Sequence, residues 1–406
     1  MLKTSEFGAP WLGSLGLGQD SRTQLEVITV AEEQHRILRA EELTKLIELL
    51  SCKGYRTIGP FVRDGAIVYE RIESSAQLPA GWTDEQERGF YRLKRREDQA
   101  WFGYAVGPHS WKRYLLPAEV RLWSAERRGR TFRILNNEMR PKQPYALLGV
   151  RACDLAAIKV QDRVLIGDKY RDAIYEGVRQ GVFIVAVQCT HAVATCFCAS
   201  LGTGPRAQSG FALALTELEG PAGHRFVVQT GSERGAEVLA GLQTVPAAGA
   251  DSHDAEAAVD RAASEQVRSI DTAGIKELLY QNFDHPRWDN VAARCLTCAN
   301  CTMVCPTCFC TSVEDVTYVT SHQAERWRRW DSCFTLSFSY IHGGNIRTSG
   351  KARYRQWMTH KLASWIDQFG TWGCVGCGRC IAWCPVGIDI TEEVRALREG
   401  GNHGDP

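Results

Sequence analysis

The 406-residue chain carries almost no net charge, since 48 Lys and Arg stand against 47 Asp and Glu. That balance provides no global basic field for nucleic acid or for an anionic membrane surface. No apolar run approaches the roughly 20 residues that span a bilayer. The first twenty residues hold one Lys, scattered Gly and no sustained apolar core, so they do not read as a secretory signal. The expectation is a cytoplasmic chain in a reducing compartment, where clustered Cys are metal ligands more often than disulfides. Catalytic signatures are missing as well. No G-x-G-x-x-G follows a strand, and Gly202-Thr-Gly204-Pro205 breaks that pattern at once. There is no Walker loop, no H-E-x-x-H and no nucleophile elbow. The chain is therefore expected to hold neither a nicotinamide nor an ATP site, and no catalytic site of its own.

What the sequence does have is 16 Cys. Four of them form Cys295-Leu-Thr-Cys298-Ala-Asn-Cys301-Thr-Met-Val-Cys305-Pro306. The pattern recurs as Cys374-Val-Gly-Cys377-Gly-Arg-Cys380-Ile-Ala-Trp-Cys384-Pro385. Each is C-x2-C-x2-C-x3-C-P, the bacterial ferredoxin run. A cubane offers four irons at tetrahedral corners, each needing one thiolate. Two-residue gaps let a tight loop wrap three corners with backbone N–H groups turned to the sulfides. The fourth Cys leaves the loop, and the Pro after it restricts φ. In two-cluster proteins that fourth Cys serves the other cluster. The expected sets are thus Cys295, Cys298, Cys301 and Cys384 for one [4Fe–4S] cluster, and Cys374, Cys377, Cys380 and Cys305 for a second. Zinc knuckles explain C-x2-C pairs, but not four Cys at this spacing plus Pro, twice.

Upstream, residues 21–52 carry a broad apolar stripe and read as a helix, with Val27–Val30 open to a short strand. Arg56–Val62 and Ala66–Ile72 flank Asp64-Gly65 and read as a hairpin. Residues 85–130, rich in Arg, Lys, Trp and Tyr, read as a solvated surface. Tyr145–Val150 is an apolar strand, Asp154 an N-cap, Leu155–Ile166 a helix and Gly181–Val187 a second buried strand. That order predicts a parallel βαβ unit. Each strand ends in a turn carrying Cys, Cys153 in one and Cys189 in the other, along the edge where ligand sites sit. With Cys196 and Cys198 nearby, two readings fit: a third [4Fe–4S] cluster on Cys153, Cys189, Cys196 and Cys198, or a set of buried thiols or a zinc site. The first is carried forward. His191 reads as a surface or core residue. Cys308, Cys310 and Cys333 read as packing near a cluster or as part of a further metal site, and Cys52 as a helix-end core residue.

Between the two runs stand Trp327, Trp330, Phe334, Phe338, Tyr340, Trp357, Leu362, Trp365, Ile366 and Phe369, largely at helical spacing. The fold class expected is α+β. Residues 1–270 form an α/β domain with the βαβ unit, and residues 271–406 an α-helical ferredoxin domain with two clusters. Arg294, Lys351 and Arg379, close to the runs in sequence, fit two readings, cations that raise cluster potentials by offsetting charge or ordinary surface residues, and the second is carried forward.

Several stretches resemble one family. They are Gly149-Val-Arg-Ala-Cys153-Asp-Leu, Thr195-Cys-Phe-Cys198, Asn282-Phe-Asp-His-Pro286, Trp330-Asp-Ser-Cys333-Phe, His342-Gly-Gly-Asn345 and Arg353-Tyr-Arg-Gln-Trp357. Together they are similar to the beta, electron-transfer subunits of cytosolic NADP-linked nickel–iron hydrogenases, the sulfhydrogenases. The related alternative is the electron-transfer subunit of anaerobic sulfite reductase. Ala152 departs from the Pro expected before Cys153. The resemblance implies an iron–sulfur relay without chemistry of its own. It would dock onto a flavin subunit that exchanges hydride with NADP(H), as a terminal relay or a port for another carrier, in a complex that also contains the small and large hydrogenase subunits.

Overall fold

The computed structural model describes residues 35–135, 143–167, 169–318 and 321–400. In chain order the strands are β1 (Arg36–Arg39), β2 (Arg56–Arg63), β3 (Ala66–Arg71), β4 (Trp82–Glu87), β5 (Phe90–Arg95), β6 (Glu119–Arg128), β7 (Thr131–Leu135), β8 (Tyr145–Val150), β9 (Phe183–Val187), β10 (Leu213–Leu218), β11 (Arg225–Thr230), β12 (Thr244–Pro246), β13 (Thr311–Thr317) and β14 (Gln323–Trp330). Eight of them form one sheet in the order β12-β1-β11-β10-β9-β8-β2-β3. Its middle pairs, β2 with β8, β8 with β9 and β9 with β10, are parallel, and the outer pairs are antiparallel.

Every residue of β9 and β10 is buried, as expected for strands covered on both faces. One face packs Leu38, Leu46, Phe183, Val185, Leu215 and Phe226 together. The other packs Ile58, Leu147, Leu155, Tyr175 and Ala186. The βαβ unit is present, with helices Ala152–Leu165 and Ala173–Arg179 between β8 and β9. The shorter helix starts at Asp172, whose carboxylate accepts from the N–H of Ile174 (3.0 Å) and Tyr175 (2.9 Å). The hairpin of β2 and β3 turns at Asp64 and Gly65, both at positive φ (51° and 74°), the conformation of a two-residue hairpin turn.

Several sequence expectations change. The stripe over residues 21–52 resolves into β1, which takes Ile37 and Leu38, and helix Glu42–Cys52. Pairing with both β11 and β12 gives Ile37 and Leu38 strand partners that a helix would forfeit. Leu25, Ile28 and the Val27–Val30 run lie outside the described residues. Cys52 ends its helix but is exposed. The N-cap of helix Ala152–Leu165 is Arg151, not Asp154. Asp154 is instead a buried first-turn residue in an ion pair. The basic, aromatic stretch is not a solvated face throughout, because Phe102, Tyr104, Trp111 and Lys112 are buried.

The aromatic insertion is only half helical. Trp327 and Trp330 belong to β14, which pairs with β13 and β6 to build a four-stranded sheet in the order β13-β14-β6-β7. Trp330 binds back through both nitrogens, its N–H donating to Ala118 O (2.7 Å) and Nε1 to Leu116 O (2.8 Å). Strand pairing across more than 200 residues of chain overrides the local three-residue spacing. The helical part is Gly350–Thr359, a π-helical turn His360–Ser364 and helix Trp365–Phe369. Trp288, Phe334, Trp357, Leu362, Ile381 and Leu397 pack beside it as a second core. The described residues form one compact unit.

Candidate functional site

Helix Arg287–Arg294 ends at Cys295. The chain then turns through Thr297 and Ala299, both at positive φ (51° and 65°), into a one-turn helix Asn300–Met303. This curl brings Cys295, Cys298 and Cys301 to one cavity, and Cys380 and Cys384 of the other run complete its wall. The rest of the lining is largely apolar, with Leu296, Phe334, Tyr354, Trp357 and Val386 among it. Two backbone N–H groups donate to sulfur, Thr297 to Cys295 (3.4 Å) and Ile388 to Cys384 (3.3 Å). Such bonds favour the thiolate.

A second cavity is lined by Cys305, Cys374, Cys377 and Cys380, with Phe197 and Lys361. Each run thus sends its last Cys to the cavity of the other. A third cavity is lined by Cys153, Cys189, Cys196 and Cys198, with Cys377, Arg151 and His191. The first two thiols arrive from the carboxyl ends of β8 and β9, the same sheet edge, as parallel pairing requires.

The cavities share walls. Cys380 lines the first and the second, and Cys377 lines the second and the third. The second and third are pressed together backbone to backbone. Gly376 (φ 61°) leaves space for the Cys198 loop, since a Cβ there would sit 2.6 Å from Cys198 N and Cα. Phe197 N–H donates to Gly376 O (2.9 Å). Gly378 (φ 73°) meets Thr195 O in the same way, at 2.4 Å from its would-be Cβ. Gly376→Ala is expected to lower stability by about 1–3 kcal/mol through overpacking and positive φ. Denaturant unfolding under anaerobic conditions measures this, and an unchanged midpoint would count against the contact.

The thiols are held in unlike fields. Burial pushes the free thiols of Cys153 and Cys196 well up, and that of Cys198 to about 12. Burial likewise takes Cys374 to about 12. Cys305 goes the other way. A hydrogen bond from the Cys308 thiol and the nearby Lys361 ammonium hold it well below the usual thiol range, while Cys308 rises in return. Metal binding replaces the protons of such thiols. Among the described residues, no three His, Cys, Asp or Glu side chains close tightly around one point. A zinc ion would need four sulfurs each about 2.3 Å from a single centre, whereas a cubane spreads its thiolates over four irons.

Residues 294–388 match the 4Fe-4S dicluster domain family. A curated relative, the sulfhydrogenase 2 subunit beta of Pyrococcus furiosus, is 34% identical over 275 residues, covering 66% of this chain and 79% of its own length. The chain belongs to the sulfhydrogenase beta-subunit family. It is an iron–sulfur electron-transfer subunit with a C-terminal ferredoxin-type domain. No solved structure matches it. No helix among the described residues is long and apolar enough to cross a membrane.

Within this family member, three charged residues near the cavities are buried, which the sequence reading did not anticipate. Arg379, inside the second run, is fully buried, and its guanidinium donates to both Asp154 oxygens at 2.9 and 3.0 Å. Its Nε donates to Gly107 O (3.1 Å). This corrects the reading of Arg379 as a surface cation. Arg294 and Lys351 do reach solvent, paired with Glu393 (2.8 Å) and Asp289 (2.8 Å). Arg151, also buried, donates to the carbonyls of Gln188, Phe102 and Tyr104. Its remaining Nε has no hydrogen-bond partner, and the guanidinium lies beside Cys189. A buried guanidinium with one N–H unpartnered, on a thiol-lined wall, fits an anionic occupant of the third cavity. Lys361 is buried at the second cavity. The signal for it was faint, a single Lys between Trp357 and Trp365. The Cys310 and Cys333 thiols stand beside each other near Cys301. His191 lines the third cavity, and burial lowers its pKa.

Proposed function

We propose that the chain is the single-electron relay of a cytoplasmic, multisubunit, NADP-linked nickel–iron hydrogenase. It gives single electrons to, or accepts them from, the flavin subunit of a complex that also holds the small and large hydrogenase subunits, and has no substrate site of its own. In this reading Cys295, Cys298, Cys301 and Cys384 hold one [4Fe–4S] cluster. Cys374, Cys377, Cys380 and Cys305 hold a second, and Cys153, Cys189, Cys196 and Cys198 a third. Residues 271–406 act as the two-cluster domain and residues 1–270 carry the third site.

The observation that carries the reading is the series of cavities, joined first by Cys380 and then by Cys377. Adjoining thiolate sites that share walls suit transfer between clusters, whereas an enzyme pocket would converge on one reacting atom. When bound, the clusters supply one-electron storage, with potentials set by charge, burial and hydrogen bonds to sulfur. The protein holds them in apolar walls, turns N–H groups to their sulfurs and excludes water from the middle of the path.

Metal analysis tests the count. Three cubanes require about twelve iron and twelve acid-labile sulfide per chain, and two require about eight. Cys189→Ser is expected to remove about four of the twelve and leave the rest. A wild-type chain with about eight irons, unchanged by Cys189→Ser, would remove the third cluster from the reading. Nickel and flavin co-purifying with the native chain are the expected partners' marks; siroheme in their place would move it to a sulfite reductase.

A further inference from the structure

Lys361 is 4% exposed, yet among the described residues no carboxylate hydrogen-bonds its ammonium. Its ammonium donates to Cys305 Sγ (3.2 Å), Thr307 Oγ1 (3.0 Å) and Gly373 O (3.2 Å). A buried cation without a counter-charge is costly, so the one place for its balancing negative charge is the thiolate wall it touches. It stands in the π-helical turn His360–Ser364, whose extra residue interrupts an otherwise α-helical run. Such bulges are frequent at functional sites. Gly373 N–H donates to Lys361 O (2.8 Å), which ties this turn to the start of the second run. Two other buried cations stand nearby: Arg379 is neutralised by Asp154, and Lys112 donates to Cys308 O (3.1 Å) and lies over the Trp330 ring, without a hydrogen bond to a ligand sulfur.

The first cavity differs. No charged side chain lines it. Arg353 lies near Cys295, and its guanidinium is occupied by the carbonyls of Phe334, Arg347 and Thr348.

Resting on the relay reading above, we infer that Lys361 is a potential-setting residue, which makes the cubane of the second cavity a better electron acceptor than that of the first. A thiolate-bound cubane is negative and gains one more negative charge on reduction. A fixed ammonium against one ligand sulfur, with water excluded, stabilises the reduced form more than the oxidised one. In the step, one electron leaves the first-cavity cubane, which is oxidised, and enters the second-cavity cubane, which is reduced. No bond breaks and Lys361 keeps its proton. The Cys308 thiol, bonded to the same Cys305 sulfur, acts in the same sense. The middle of the path is then where an electron rests, and the surface cluster, with Cys298 exposed, is where it passes through.

The test is potentiometric EPR titration of the anaerobically prepared full chain, with iron and sulfide counted in parallel. Lys361→Met is expected to keep the metal content and make reduction of one cubane at least tenfold less favourable. That is a midpoint lower by about 59 mV for a one-electron couple. The other midpoints should stay in place and Lys361→Arg should restore the value. Intact metal with every midpoint unmoved would overturn the assignment of Lys361 alone. A wild-type chain with fewer than about eight irons would overturn the relay reading itself. If Lys361→Met cannot retain its metal, Lys361→Gln, which keeps a donor for Gly373 O, takes the same measurement. Metal loss in both neutral variants but not in Lys361→Arg would support the charge requirement, and loss in all three would overturn it.

Discussion

Asp154→Ala is expected to destabilise the chain by about 3–5 kcal/mol, the cost of leaving one member of a buried ion pair alone. Arg379 is 0% exposed and Asp154 1%, so no water can take over the lost contact. The pair does more than join two charges. Arg379 stands between Cys377 and Cys380, and Asp154 follows Cys153, so one bidentate contact clamps the wall of the second cavity to that of the third. The damage should therefore extend to metal content at both. Replacing both partners by apolar residues, Asp154→Leu with Arg379→Met, is expected to recover most of the stability, because the desolvation cost disappears with the charges. Chemical denaturation of the two variants measures this. Equal destabilisation of the single and double variants would mean the pair's polar contacts, and not its burial, dominate.

The second large effect concerns which run owns which fourth ligand. If the last Cys of each run serves the other cluster, Cys298→Ala, Cys384→Ala and the two combined should all lose about four irons, because both residues belong to one cluster. Cys298→Ala combined with Cys305→Ala should lose about eight. Ligation within each run predicts the opposite pattern, with the second combination losing only about four. The cavity linings favour the crossed arrangement, since Cys384 stands with the first run and Cys305 with the second. Iron and sulfide counts on the four variants decide it without any activity measurement.

The eight Cys of the two runs were legible because spacing alone carries the geometry of a cubane. The gathering of Cys153, Cys189, Cys196 and Cys198 at one cavity was legible through topology. Two apolar strands separated by a helix pair in parallel, and parallel strands deliver the turns at their carboxyl ends to one edge. The charges were harder to read. Arg379 and Asp154 are 225 residues apart, and nothing local distinguishes a buried Arg in a cluster run from a solvated one. Lys361 left a trace, a cation amid aromatic residues, but only the π-helical turn sets its ammonium on Cys305. Trp327 and Trp330 were misread for the complementary reason. Their spacing is helical, yet β6 offered a whole row of backbone partners from more than 200 residues away.

By itself the sequence determined the chemistry: a thiolate-rich electron carrier, built on a parallel βαβ unit and two ferredoxin runs. Ligand identity is a local property, set by which residues lie two and three positions apart. The tertiary structure decided the order of the cavities, the walls they share at Cys380 and Cys377, and the buried cations that face them. Burial and pairing depend on what packs against a residue, and those neighbours come from segments that are distant along the chain.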